Sequence, residues 1–126
     1  MDDKATAAKI DPNTATAQEC ADWLAGNDGW HCEIDGEDFE RSWVIQKSLP
    51  VRTYFHPYPL TLDAAAGALR EPWRLARIEV NANGRALVTI TKPMPMTWEQ
   101  IEGPDRMTAE YRAAVAARLA GMEGRG

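Results

Sequence analysis

Arg74-Leu75-Ala76-Arg77-Ile78-Glu79-Val80-Asn81-Ala82-Asn83-Gly84-Arg85-Ala86-Leu87-Val88-Thr89-Ile90-Thr91-Lys92 is the stretch whose reading decides the fold. Two alternating runs, Leu75–Val80 and Ala86–Thr91, flank Asn81-Ala82-Asn83-Gly84. Apolar residues recur with period two, and the Asn-Gly pair tolerates the positive φ that a tight turn needs, so the stretch predicts a β-hairpin. Ala76, Ile78 and Val80 are expected on one face with Ala86, Val88 and Ile90; Leu75, Arg77, Glu79, Leu87, Thr89 and Thr91 are expected on the other. One side is apolar and the other mixed, which predicts an antiparallel sheet covered mainly on one side.

Helical patterns lie on both flanks. Thr61 is placed to cap a helix in which Leu62, Ala65, Ala66 and Leu69 form one stripe, ended by Pro72. After the hairpin, Asp105 or Thr108 caps a helix whose stripe is Met107, Tyr111, Val115, Leu119 and Met122, with Arg112 and Arg118 on its polar flank. Upstream, Thr16-Ala17-Gln18-Glu19 matches a capping box and opens a short helix predicted to stop at Gly26. Trp30–Ile34 and Ser42–Lys47 read as strands, and the proline-flanked Val51–Phe55 as a strand near a sheet edge. Thr97-Trp98-Glu99-Gln100 is a second capping-box match, expected to open one short helical turn before Gly103-Pro104. The expectation is α+β: a single domain over residues 16–122. It has a short antiparallel sheet of four or five strands, with the Thr61–Arg70 and Thr108–Met122 helices packed mainly on one face. Residues 1–15 are expected as a flexible arm and 123–126 as a frayed end.

At 126 residues the chain can bury about two-thirds of its unfolded surface. No apolar run approaches the roughly 18 residues that suggest a membrane span, and no signal-peptide pattern opens the sequence. Two cysteines, Cys20 and Cys32, are too few for a disulfide scaffold, so a reducing, cytoplasmic setting is expected. Charge is unevenly spread. Residues 1–40 hold eleven acids against two lysines, while residues 41–126 hold twelve Lys/Arg against eight acids. Either the two halves attract each other in the fold, or an acidic face is offered to a partner. Net acidity argues against direct nucleic-acid binding.

Five acids in eight residues, Glu33, Asp35, Glu37, Asp38 and Glu40, form the sharpest local feature. They lack the order of a calcium loop and any evident apolar pocket that would raise one carboxyl for acid–base work. A solvated turn or a partner-facing acidic patch needs no special geometry. Cys20, Cys32, His31 and His56 show no metal-ligand spacing, and His31 and Cys32 point to opposite faces of a strand. A cysteine hydrolase would need one thiol lowered by an imidazole. Buried thiols are the simpler reading. Tyr54, Phe55, His56, Pro57 and Tyr58, with Arg52 nearby, read as core-edge aromatics or a stacking platform. Arg74, Arg77 and Arg85 are candidates for binding an anionic ligand on the mixed sheet face. No catalytic residue, metal or cofactor is expected.

Pro57-Tyr58, Thr61-Leu62-Asp63-Ala64-Ala65-Ala66, the aromatic-led hairpin Trp73–Thr91 and Arg112-Ala113-Ala114 together resemble the phage ABA sandwich domain. The resemblance spans Pro57–Ala120, about half of the chain. It implies phage or prophage origin, a host bacterial cytoplasm and a non-enzymatic accessory protein. Small phage proteins of this kind often act by binding, and some block bacterial immunity. The expected function is therefore an inhibitor of a bacterial defence complex, anti-CRISPR-like or otherwise. Its 33–40 acids would engage a basic groove of a nucleic-acid-binding partner, and a second copy of the chain is a further candidate partner. Two alternatives stay open: a sponge for a small anionic nucleotide signal, and a small cysteine-dependent hydrolase.

Overall fold

The computed structural model describes residues 10–34, 41–46, 50–93 and 96–123. The Thr16 hydroxyl accepts from the Glu19 amide at 3.1 Å while the Glu19 carboxylate accepts from the Thr16 amide at 2.8 Å, so the capping box opens helix α1 (Ala17–Asn27). α1 runs through Gly26 instead of stopping there. Asp28 is its C-cap, and the left-handed residue that releases the chain is Gly29, at φ 95°. The next helix, α2 (Leu62–Ala68), starts at the expected Thr61 cap but ends before Arg70, because Leu69 is already extended at ψ 124°. Asp105 Oδ1 accepts from the Thr108 amide at 2.8 Å at the start of α3 (Arg106–Glu123).

Among the described residues, six strands pair antiparallel in two sheets. β1 (Trp30–Ile34), β2 (Arg41–Gln46) and β3 (Pro50–Thr53) form one in the order β1-β2-β3; β4 (Arg74–Val80), β5 (Ala86–Lys92) and β6 (Thr97–Gly103) form the other in the order β4-β5-β6. The α+β class is as expected. The count is close but not exact. A single sheet of four or five strands and two main helices were expected beside the short Thr16 helix; the described residues hold three helices and two three-stranded sheets.

The extra strand is the segment expected to form a helical turn. Thr97 to Gly103 pairs residue by residue with Lys92 to Ala86. Seven cross-strand pairs, with Ile101 opposite Val88, outweigh a local cap motif that offers a helix only a few residues long. The hairpin also carries a bulge. Its register shifts between Leu75 and Arg77, so Leu75 pairs with Ile90 and joins Ile78 and Val80 on the inner face, where Ala76 was expected.

α3 is buried on two sides. Tyr111, Ala114 and Val115 join Cys20, Ala21 and Leu24 of α1 and Ala65 and Ala68 of α2 in one core cluster. Ala109, Ala113 and Ala117 join Val88, Ile90, Ile101 and Trp73 in another. The helix expected to rest on one sheet face is thus the shared wall between the β4-β5-β6 sheet and the α1–α2 layer. Of the expected arm, Ile10 packs against the first cluster and Ala15 is buried, its carbonyl accepting from Arg112 Nε at 2.7 Å. Met122 of the expected stripe lies outside the described side chains.

The α3–β6 approach demands a glycine. A Cβ on Gly103 would lie 2.7 Å from the Ala109 nitrogen and 2.9 Å from its Cα. Gly103→Ala is therefore expected to cost about 1–3 kcal/mol in urea unfolding. Gly67→Ala, where an added Cβ meets nothing within 4 Å, should hold or raise stability by up to about 1 kcal/mol.

Candidate functional site

Asp28 stands where α1 ends, a place where the helix's partial negative charge disfavours an anion. Donors from three other segments offset this. Arg118 Nη1 of α3 donates to Oδ1 at 2.7 Å, Arg70 Nη2 donates to Oδ2 at 3.0 Å, and the Tyr58 hydroxyl also donates to Oδ2. Arg118 and Arg70 each reach the Tyr58 oxygen as well, at 3.1 and 2.9 Å. Burial alone would raise the Asp28 carboxyl; the Tyr58 hydroxyl, Arg118 and Arg70 outweigh it and hold the group below its ordinary value. Burial and the anion beside it push the Tyr58 phenol up.

Beside this knot opens a cleft of about 460 Å³ between the end of α1, the Arg70–Trp73 connection, the end of β5 and α3. That volume lies within the range of small-molecule sites. Its charged lining is Arg70, Lys92 and Arg118 against Asp28 and Glu71. The Arg118 side chain is 13% exposed and pinned; Arg70, at 58%, stands at the mouth. Lys92 Nζ lies over the Trp73 ring, 5.3 Å from its centroid. Arg118 uses both terminal nitrogens on Asn27, Asp28 and Tyr58, and its buried Nε has no acceptor among the described residues. Also among the described residues, no three of His, Cys, Asp and Glu gather as a metal ion would require.

Apart from Tyr58, which joins the Asp28 knot, the candidate site residues singled out from sequence lie elsewhere. Glu33 accepts from Arg52 Nη2 and bonds His31 Nε2, each at 2.8 Å; those two partners hold its exposed carboxyl below the usual value. Asp35, Glu37, Asp38 and Glu40 fall outside the described residues. Arg74 and Arg77 share the outer face of the hairpin, but Arg77 pairs with Glu79 at 2.6 Å. Arg85, at the opposite end of the hairpin from Arg74, pairs with Glu102 at 2.6 Å. The three do not converge.

Cys20 is fully buried, as expected, and burial pushes its thiol up to about 12 despite the opposing field of Arg112. Cys32 is exposed, against expectation: Trp30 packs on the α1 cluster, and that cover does not extend along β1 to Cys32. His56 Nε2 bonds Asp22 at 2.7 Å, its Nδ1 accepts from the Tyr58 amide at 2.8 Å, and its ring lies 4.3 Å from Trp43. That pattern places the ring proton on Nε2 and leaves neither nitrogen for a thiol. In the aromatic run, Tyr58 is buried in the core while Tyr54 and Phe55 project from the surface.

Asp28, Arg70, Arg118 and Lys92 were not singled out as a group by sequence reasoning. Arg70 and Arg118 lie 42 and 90 residues from Asp28, so no motif spacing joins them. The available signal was the charge asymmetry. Asp22–His56, Asp28–Arg70, Asp28–Arg118 and Glu33–Arg52 all link the acidic first forty residues to later cations or imidazole.

Two outcomes follow for the intact chain. Asp28→Asn, which leaves Arg118 without its anion, should cost about 3–5 kcal/mol in urea unfolding. Because the folded Asp28 carboxyl is held below its unfolded value, its contribution is present above about pH 4 and is lost as pH falls through the folded value; the variant should show a shallower acid loss. In native buffer, iodoacetamide should label Cys32, with Cys20 reacting only on unfolding, as peptide mass spectrometry would read. Comparison with protein-family models, with curated proteins and with solved structures finds no match for this chain.

Proposed function

We propose that this chain is a non-catalytic binding protein for a small anion, received in the cleft between α1, the Arg70–Trp73 connection and α3. One observation carries the reading: three cations border that cleft against two carboxylates, and one of those carboxylates, Asp28, already receives both arginines. Arg118 is fixed by its partners and supplies a constant positive wall. Arg70 is exposed enough to turn from Asp28 toward a ligand while the Asp28–Arg118 pair stays intact. Lys92, steadied over the Trp73 face, adds an ammonium at the same opening. Charge-assisted hydrogen bonds from such groups are about twice as strong as neutral ones.

This reading keeps the sponge alternative but moves its contacts from Arg74, Arg77 and Arg85 to Arg70, Lys92 and Arg118. Inhibition of a defence complex through the 33–40 acids is a separate proposal, four of whose five residues lie outside the described chain.

Inorganic phosphate titrated into ¹⁵N-labelled protein should shift amides around the cleft. Arg70→Ala and Lys92→Ala should each weaken binding about tenfold, equivalent to about 1.4 kcal/mol, with the fold retained. Arg74→Ala and Arg77→Ala should leave it unchanged. Saturable shifts confined to the hairpin face, or none anywhere, would overturn the reading.

A further inference from the structure

We infer that, independently of the cleft, β6 pairs edge to edge with β6 of a second copy of this chain, antiparallel about a two-fold axis at Trp98. The hydrogen-bond alternation of the sheet sets which groups are offered. Where β4 turns into β5, the Asn81 amide donates to the Arg85 carbonyl at 2.9 Å. Counting from that bonded pair, Ala86, Val88, Ile90 and Lys92 aim their amides and carbonyls at β6, where they meet Gly103, Ile101, Glu99 and Thr97. Trp98, Gln100 and Glu102 therefore aim theirs off the free edge. The Glu102 carbonyl obeys this alternation: it accepts from Arg112 Nη1 at 2.9 Å, outside the sheet. Trp98 and Gln100 have no backbone partner on that side among the described residues.

Two features set β6 apart from the opposite edge of its sheet. Its seven residues pair one for one with β5, without the irregularity that kinks β4 between Leu75 and Arg77. A straight edge is what an added strand requires. Exposed apolar side chains also stand where the free backbone does: Trp98 is 58% exposed, and Met96, just before the strand, 63%.

A second copy is the occupant because β6 complements itself in one register. Centring the axis on Glu99 opposes two carboxylates, which is destabilising. Centring it on Gln100 brings Trp98 against Glu102, whose carbonyl Arg112 already holds. Centring it on Trp98 opposes the two indoles and sets Thr97 against Glu99 and Met96 against Gln100. No like charges then stand directly opposite, and the Arg112 end of the strand is left clear. In this register the Trp98 and Gln100 amides donate to the Trp98 and Met96 carbonyls of the second copy. Because the β4 edge is kinked, the assembly closes at two copies.

Sedimentation velocity of the full chain over a concentration series tests this. A contact one strand wide is transient by size, so the chain should run as a monomer when dilute and move toward the dimer mass as concentration rises. Trp98→Lys places like charges on both sides of the axis and should raise the dissociation constant at least about tenfold, with circular dichroism unchanged. Gln100→Pro removes an amide aimed off the edge without breaking a bond to β5, and should act in the same direction. Val80→Ser, on the exposed β4 edge, should leave the dimer as it is. In the wild-type chain, hydrogen exchange at the Trp98 and Gln100 amides should slow with concentration, while Ile78 and Val80 should not change. A monomer at every concentration, a dimer indifferent to Trp98→Lys, or protection that rises at Ile78 and Val80 instead would overturn the inference.

Discussion

One carboxylate organises the helices. Asp28 ends α1, and its partners arrive from Tyr58 just before α2, from Arg70 just after it, and from α3 through Arg118. An anion at a helix C-terminus is unfavourable by itself, and its partial burial adds a desolvation cost. Tyr58 and Arg118 offset most of those terms and the exposed Arg70 adds to them, which draws the three segments toward one point. A buried charge cluster of this kind adds little net stability over an apolar equivalent. Its value here is placement. Around it the helices touch mainly through alanines, whose small side chains interdigitate little and specify rotation about an axis poorly. The same requirement that fixes the helices leaves guanidinium groups at the edge of an open cleft.

The second constraint is the narrow body of α3. Ala109, Ala113 and Ala117 let the sheet come close on one side, while Tyr111 and Val115 fill the wider gap toward α1 and α2 on the other. Tyr111 donates from its hydroxyl to the Pro59 carbonyl at 2.5 Å, and burial pushes its phenol up to about 12, so it stays a neutral donor. Arg112 spans both layers, donating to the Ala15 carbonyl and, at 2.9 Å, to the Glu102 carbonyl of β6. Polar groups of this helix thus anchor backbone carbonyls of the neighbouring segments.

Local chemistry was legible wherever it was self-contained. The Thr16–Glu19 box, the Thr61 cap and the hairpin through Asn83-Gly84 each depend on residues within a few positions of one another, and each forms as read. Thr97-Trp98-Glu99-Gln100 misled because β5 offered it more cross-strand pairing than a one-turn helix could offer within itself. The division into two sheets was hidden because alternation reports which residues face inward, not which strands are neighbours. Arg118 was assigned to a polar flank by helical period, yet the period says nothing of an acid arriving from 90 residues away. The cleft escaped for the same reason: its cations are ordinary in sequence and become a group only in three dimensions. What the composition did carry was the imbalance between an acidic opening and a basic remainder, and part of that imbalance is resolved inside the fold.

The irregularity at Ala76 has a consequence for how molecules of this chain meet in concentrated solution. β4 is the border of its sheet, seven residues long and mostly uncovered, so its free backbone groups are a template on which another strand could crystallise. Two residues opposing one on the neighbouring strand kink that border and throw its amide ladder out of step. An incoming edge finds only short matching stretches on either side of the kink, so β4 is a poor template for a further strand.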